Sequence, residues 1–114
     1  MALIYKIVPE KLWRAAQALA EFDGAPVDQA DGYIHFSTAT QVRDTAAKHF
    51  AGERDLLLVA VEADRLGEAL KWEVSRGGDL FPHLYCKLQL ADVTRADPLS
   101  LKDDGTHDFT GLVA

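Results

Sequence analysis

The segment Asp55–Val61 contains an uninterrupted aliphatic run, Leu56–Val61, and this run limits the folds that the chain can adopt. Such a run is typical of a strand that is buried on both faces. In a chain of 114 residues it predicts a single domain with one hydrophobic core. We expect this domain to span residues 1–102. Residues 103–114 are polar and contain glycine, so they are expected to form a loosely held C-terminal tail.

Hydrophobic periodicity predicts further strands and two main helices around this run. The predicted strands are Leu3–Val8, Tyr33–Ser37, Leu70–Val74 and Phe81–Leu90, the last with Leu84, Cys86 and Leu88 on its core face. One helix is expected from Pro9 to about Asp23, a loop over residues 23–32, and a second helix from Thr38 to about Gly52. Because the helices come early and most strands late, the pattern favours an α+β fold with a curved, mostly antiparallel or mixed sheet.

Composition excludes several classes of function. The formal charge of −6 disfavours DNA and RNA as partners, which require clustered lysine and arginine. The lone cysteine, Cys86, excludes an intrachain disulfide and a multi-cysteine zinc site and suits a reducing compartment. Neither a signal peptide nor a run of membrane-spanning length is recognisable, so the sequence predicts a cytoplasmic protein without membrane contact.

Polar residues alternate along three of the predicted strands and supply the candidate catalytic groups. The three sets are Tyr33, His35 and Ser37; Lys71, Glu73 and Ser75; and His83, Tyr85 and Lys87. If these faces converge, they form a cleft with two histidines, a carboxylate and a phenol, in which His35, Glu73 and His83 are the catalytic candidates. No two of these candidates stand at a local metal-ligand spacing, so no metal site is predicted.

Ser37 and Thr38 stand where a strand runs directly into a helix N-terminus, which is a favourable place for a phosphate or carboxylate. We therefore expect a small anionic ligand contacted by Ser37, Thr38, Tyr85 and Arg76. A structural alternative stays open for each group. Ser37 or Thr38 then only caps the helix, His35 bonds a carbonyl, Glu73 pairs with a neighbouring cation, and Tyr85 covers the edge of the core.

Three motifs in order resemble a bacterial family known as domain of unknown function 952. They are the segments 31–39, Asp-Gly-Tyr-Ile-His-Phe-Ser-Thr-Ala; 70–73, Leu-Lys-Trp-Glu; and 81–85, Phe-Pro-His-Leu-Tyr. The order of elements and the Ile-His-Phe-Ser segment are also similar to RNA 2′-phosphotransferases and the wider ADP-ribosyltransferase superfamily. That resemblance implies a split, curved sheet whose cleft binds NAD or ADP-ribose, with His35 and Ser37 on a ribose or phosphate. The first strand departs from the superfamily's His-Gly-Thr-like motif, with Tyr5-Lys6-Ile7 in its place.

Three functions compete at this point. The first is a transferase-like enzyme that acts on NAD, ADP-ribose or a related phosphorylated nucleotide, with NAD as the cofactor that the resemblance allows. The second is a non-catalytic module that binds a small anion at the helix N-terminus. The third is a protein-interaction domain. The sequence selects neither the reaction nor the oligomeric state.

Overall fold

The computed structural model describes residues 2–113, except for the side chain of Arg76. The helices in this range are α1 (Glu10–Leu19), α2 (Pro26–Asp31) and α3 (Val42–His49). The strands are β1 (Leu3–Pro9), β2 (Glu21–Phe22), β3 (Ile34–His35), β4 (Leu56–Glu62), β5 (Leu70–Val74), β6 (Leu80–Leu84), β7 (Leu88–Gln89), β8 (Val93–Leu101) and β9 (His107–Asp108). None of the described helices is long and apolar enough to cross a membrane.

Strand β4 lies inside a four-stranded sheet of order β1-β4-β8-β9, in which neighbouring strands are antiparallel. Its side chains alternate between two hydrophobic clusters. Val59 and Val61 belong to the first, and Leu56, Leu58 and Ala60 belong to the second. The aliphatic run is therefore a strand buried on both faces, as its sequence predicted.

A second sheet has the order β3-β6-β5 and is also antiparallel. An isolated bridge joins it to the first sheet, because Tyr5 and Ser37 exchange two backbone hydrogen bonds of 2.8 Å. The strands thus form a curled antiparallel arrangement. The prediction of an α+β fold with a curved, mostly antiparallel sheet is confirmed. Helix α1 covers the first cluster with Trp13, and α3 covers the second with Val42 and Ala46.

The chain between residues 20 and 32 differs from its prediction. Helix α1 ends at Leu19 rather than near Asp23, since Ala20 adopts a left-handed conformation (φ 59°) and the chain enters β2. The predicted loop contains α2. Its first residue is Pro26, which suits the start of a helix, and Asp28 Oδ2 accepts a hydrogen bond from the Ala25 N–H at 2.7 Å.

The predicted strand Phe81–Leu90 is two strands with different partners. Strand β6 pairs with β3 and β5, whereas β7 pairs with β2. The chain must turn between them to change partners, so the alternation of side chains is interrupted. Cys86 lies in this turn and is exposed, and its assignment to the core was wrong.

The C-terminal part of the chain is more ordered than its sequence suggested. Strand β8 has mostly exposed side chains and so lacks apolar alternation, but it pairs along the buried strand β4. Residues 107–108 form β9 on the edge of β8, and Phe109 packs into the second cluster with 6% of its surface exposed. His107 and Phe109 are therefore buried against the sheet, whereas residues 103, 104, 106, 110 and 111 are exposed, and the domain boundary at residue 102 stays a prediction.

We predict that Phe109→Ala destabilises the whole domain by roughly 3 kcal/mol, because it leaves a cavity in the second cluster. Asp103→Ala, at an exposed position of the same segment, is expected to change the free energy of unfolding by no more than about 0.5 kcal/mol. Urea unfolding followed by circular dichroism measures both values. Equal stabilities for the two variants would show that the C-terminal segment adds nothing to the core.

Candidate functional site

A buried cation lies at the base of the candidate site. Lys6 is on β1 between Ile4 and Val8, which face the first hydrophobic cluster, and only 8% of its surface is exposed. Alternation along the strand directs Lys6 to the same apolar face. A charged ammonium group there requires a buried partner, because its transfer from water is otherwise strongly unfavourable.

Asp28 on α2 is that partner, and it is 1% exposed. Its Oδ2 lies 3.0 Å and its Oδ1 3.2 Å from Lys6 Nζ. Oδ1 also accepts a hydrogen bond from the backbone N–H of His35 at 3.1 Å, and Lys6 Nζ donates to the His35 carbonyl at 2.9 Å. These bonds join β1, α2 and β3 at one point.

The pKa values of the two groups reflect this environment. Burial lowers the pKa of Lys6, and the charge of Asp28 only partly offsets that effect. Burial alone would raise the pKa of Asp28, but its hydrogen bonds from His35 and the charge of Lys6 reverse the direction and lower the pKa to about 2. The carboxylate of Asp28 is therefore ionised throughout the neutral range.

His35 is held between two carboxylates. Its Nδ1 lies 2.6 Å from Asp28 Oδ1 and its Nε2 lies 2.9 Å from Asp31 Oδ2. Both ring nitrogens can donate to carboxylates only when the ring carries two protons. The contacts already satisfy both nitrogens, so His35 has no free nitrogen for a phosphate or a substrate proton.

The second sheet brings the other polar residues beside His35. In its register His35 is opposite His83, and Lys71 is opposite His83 on the other side. Tyr33 packs among these groups, with its ring centroid 4.1 Å from that of His83 in a stacked arrangement and 5.1 Å from that of Tyr85. We call the set Tyr33, His35, Glu73, His83 and Tyr85 the histidine–tyrosine cluster.

Glu73 holds two members of the cluster through one oxygen. Its Oε1 lies 2.8 Å from Nδ1 of His83 and accepts a hydrogen bond from the Tyr85 hydroxyl at 2.7 Å. The hydrogen bonds from Tyr85 and His83 lower the pKa of Glu73, and the bond to Glu73 raises the pKa of Tyr85 to about 12. Desolvation, followed by the charges of nearby carboxylates, raises the pKa of Tyr33.

Two acceptor atoms of this network remain open. Within residues 2–113, no hydrogen bond is found for Oε2 of Glu73 or for Nε2 of His83. The side chain of Glu73 is 39% exposed and that of His83 is 4% exposed. No buried side-chain nitrogen or oxygen of the described residues lacks a partner, so Nε2 of His83 must reach solvent. In the neutral ring Nδ1–H donates to Glu73, and the lone pair of Nε2 is then available.

The other predicted ligand contacts lie apart from the cluster. The hydroxyl of Ser37, a buried residue, is 2.9 Å from that of Thr45 on α3. The Thr38 N–H donates to Oε1 of Gln41 at 3.0 Å, so a side chain takes the place that an anion would occupy at this turn. The side chain of Arg76 is outside the described part of the structure, and its predicted contact with a ligand stays a prediction.

Two grooves of the described structure lie away from the cluster. A groove of about 560 Å³ lies between α3 and residues 102–110, and a smaller one of about 270 Å³ lies between α1 and the start of α2. Neither groove is lined by a residue of the cluster.

Lys6, Asp28 and Asp31 fix the position of His35 and were not among the site residues predicted from the sequence. Two signals could have identified the first pair. Lys6 is a charge inside the apolar strand Leu3–Val8, which indicates a buried ion pair. Asp28 follows Pro26 by two positions, a spacing that suits the first turn of a helix.

Comparison with known proteins identifies relatives of the whole chain. The model of a family described as "Protein of unknown function (DUF952)" matches residues 7–96. A crystal structure of protein CC0527 from Caulobacter crescentus is similar, with 52% identity, coverage of 95% of both chains and a TM-score of 0.92. A solution NMR structure of CC0527 has 51% identity over 100% of this chain and 98% of that chain, with a TM-score of 0.89. No curated protein matches the chain.

The ion pair generates a prediction about stability and pH. The ordinary pKa of 3.8 falls to about 2 in the folded state, so Asp28 contributes stability above about pH 4 that is lost as the pH falls towards 2. Asp28→Asn removes this contribution and leaves Lys6 without a counter-ion, at a cost of roughly 3–5 kcal/mol at neutral pH. Urea unfolding at several pH values measures the difference between variant and wild type.

Asp23→Asn, at an exposed position of the same segment, is the matched control and is expected to be nearly neutral. The difference in the free energy of unfolding between wild type and Asp28→Asn should decrease as the pH falls from about 4 to 2. A gap that is independent of pH in this range would contradict the proposed ion pair.

A second prediction concerns the pKa of Glu73. Tyr85→Phe removes the hydroxyl that donates to Glu73 and should raise the pKa of Glu73 towards its ordinary value. Tyr33→Phe is the control, because the Tyr33 hydroxyl makes no hydrogen bond to Glu73 in the described structure. Carbon-13 NMR of the Glu73 carboxylate during a pH titration measures the shift. An unchanged pKa in Tyr85→Phe would exclude the hydrogen bond as its cause.

Proposed function

The chain belongs to the protein family of unknown function DUF952, and from this premise we propose that the histidine–tyrosine cluster binds a nucleotide of the NAD or ADP-ribose class. The observation that carries the proposal is the pair of open acceptors, Oε2 of Glu73 and Nε2 of His83, beside the exposed ring of Tyr85. The family description assigns no activity, so the argument rests on the geometry of the cluster.

The two acceptors favour a ligand that offers hydrogen-bond donors. Glu73 is ionised at neutral pH, since the hydrogen bonds from Tyr85 and His83 lower its pKa. A sugar diol supplies two hydroxyl donors, whereas an ionised phosphate supplies only acceptors. Ribose hydroxyls are therefore the group we assign to Glu73 and His83, and the phosphates would extend away from Glu73 into solvent.

The tyrosines supply a surface for a flat ring. Tyr85 is 43% exposed, and its centroid is 5.1 Å from that of Tyr33. Aromatic side chains stack on planar rings and bury much area at small cost in conformational entropy. A nucleobase or nicotinamide ring joined to the ribose would therefore find a neighbouring contact.

Glu73 and His83 also have the arrangement of a general base and the carboxylate that orients it. Nε2 of His83 can accept a proton from a hydroxyl group, and the carboxylate of Glu73 stabilises the resulting imidazolium. His35 does not suit this role, because both of its ring nitrogens contact carboxylates. In a transferase-like reaction, His83 would activate the hydroxyl of the acceptor molecule.

Phosphate recognition at the N-terminus of α3 receives less support. The Thr38 N–H is occupied by Gln41, and the Ser37 hydroxyl is directed to Thr45. A module that binds small anions through this helix terminus would first have to displace Gln41. We therefore keep the nucleotide class from the sequence analysis and move its expected contact from the helix terminus to Glu73 and His83.

A thermal-shift and calorimetric screen tests the proposal with ADP-ribose, NAD, free adenine and inorganic phosphate. ADP-ribose or NAD at a hundredfold excess over Kd should raise the free energy of unfolding by roughly 2.7 kcal/mol. Glu73→Gln keeps the size of the side chain but removes its charge, and it should abolish this shift. The control Glu68→Gln changes an exposed glutamate of the 3-10 helix Ala63–Ala69, which precedes β5, and this variant should bind as wild type does.

A shift with inorganic phosphate alone would instead support the anion-binding module. No shift with either nucleotide, in a folded protein, would refute the proposed function. If binding is found, turnover of NAD compared between wild type and His83→Ala decides whether the site is catalytic.

A further inference from the structure

The outer edge of β5 is an exposed apolar feature of the second sheet. β5 is the last strand in the order β3-β6-β5, and no described strand pairs with its outer edge. Trp72 is 44% exposed and Val74 is 70% exposed, and Leu80, opposite Val74 on β6, is 52% exposed. Exposed strand edges are templates for pairing with another chain, and proteins usually protect them.

We propose that this edge pairs with the same edge of a second copy of the chain, antiparallel about a two-fold axis at Trp72. The proposal concerns self-association and does not depend on the proposed nucleotide ligand. It follows from two properties of the strand: the residues whose backbone groups point outward, and the positions of its charges.

Two backbone hydrogen bonds of the hairpin show which backbone groups point outward. Tyr85 N–H donates to the carbonyl of Ala69 at 2.8 Å, and Ser75 N–H donates to the carbonyl of Asp79 at 2.9 Å. In an antiparallel pair the residues alternate between those that bond to the neighbour and those that do not. Odd-numbered residues from 69 to 75 therefore bond to β6, and the residues with outward N–H and C=O groups are Leu70, Trp72 and Val74.

A second copy can bond only through these outward groups, which restricts the register to a few choices. A two-fold axis at Glu73 would place two glutamates directly opposite each other, and an axis at Lys71 would do the same with two lysines. Like charges in direct opposition destabilise a strand pair. An axis at Trp72 instead places Lys71 opposite Glu73 of the partner subunit, and does so twice by symmetry.

The opposite face of the same register is apolar. Trp72 would lie opposite the partner's Trp72, and Leu70 would lie opposite the partner's Val74. Aromatic and branched aliphatic pairs of this kind stabilise neighbouring strands. The sequence of β5, Leu-Lys-Trp-Glu-Val, is therefore complementary to itself in an antiparallel pair, by opposite charges on one face and by apolar contacts on the other.

This register also brings a cation to the histidine–tyrosine cluster. Glu73 uses Oε1 for His83 and Tyr85, so its exposed Oε2 is available to the partner's Lys71. The partner's Lys71 and a ribose hydroxyl would then compete for the same oxygen of Glu73. For this reason the test of association is made without a ligand, and its result does not depend on the outcome of the nucleotide screen.

Sedimentation equilibrium over roughly 10 µM to 1 mM tests the proposal, because one strand pair buries a small area and its dimer should be weak. Wild type is expected to dimerise. Lys71→Glu places carboxylates opposite each other and Glu73→Lys places ammonium groups opposite each other, so each variant alone should be monomeric. Mixed in equal amounts, the two variants should associate again, because opposite charges then face each other across the edge.

A monomeric wild type at the highest concentration would overturn the proposal. Variants that dimerise as wild type does, or folded variants whose mixture stays monomeric, would overturn it as well. Circular dichroism establishes that each variant is folded. Should Glu73→Lys not fold, since it removes the acceptor of His83, a cross-linking experiment decides the register without changing Glu73.

The cross-linking experiment uses Trp72→Cys in a Cys86→Ser background. In the proposed register the two Cα atoms at position 72 are about 5.5 Å apart, within the range of roughly 4.4–6.8 Å that a disulfide spans. Val74→Cys is the control, because its two copies would be roughly 13 Å apart along the strands. A disulfide dimer under mild oxidation at position 72 but not at 74 is expected. Equal cross-linking at both positions, or none at 72, would overturn the register.

Discussion

The buried ion pair between Lys6 and Asp28 is the interaction on which the candidate site depends. A lysine on the apolar face of β1 is stable only with a buried counter-ion, and α2 supplies it. The same carboxylate accepts hydrogen bonds from the backbone and ring of His35. One buried charge thus fixes the position of α2, the start of β3 and the orientation of a histidine.

The register of the second sheet then determines where the other residues of the cluster lie relative to His35. Since β3 is short, His35 is placed by its pairing with His83 as well as by Asp28. Glu73, on β5, contacts both His83 and Tyr85, the residue that follows β6. Of the two histidines, His35 is enclosed by carboxylates, and His83 keeps an open nitrogen. The side chain of His35 is 31% exposed, whereas that of His83 is 4% exposed, so the two histidines differ in both their contacts and their burial.

Local patterns predicted the elements whose side chains alternate or are uniformly apolar. The run Leu56–Val61 identified β4, and alternation identified β5. Elements held by their partners carried no such signal. Strand β8 is mostly exposed and is defined by pairing with β4, and α2 is a short helix whose stability depends on Asp28 contacts. A change of pairing partner, as between β6 and β7, is a tertiary event that periodicity does not encode.

The same distinction explains the candidate site. Alternation placed His83 and Tyr85 on one strand face, and the structure brings them together with His35 and Glu73. Alternation also predicted Ser37 on the same face as His35, but β3 ends at His35 and Ser37 forms a bridge with Tyr5 instead. The contacts of His35 also depend on α2, a segment that the sequence pattern predicts to be a loop.

The central claim is that Glu73 orients His83 so that Nε2 is an open acceptor. Long-range nitrogen-15 NMR of the histidine rings near neutral pH measures the tautomer of His83 directly. For the neutral ring the account predicts a proton on Nδ1, where the ring contacts Glu73, and an unprotonated Nε2. A proton on Nε2 with a bare Nδ1 would contradict it, because His83 could then neither donate to Glu73 nor accept a proton from a ligand.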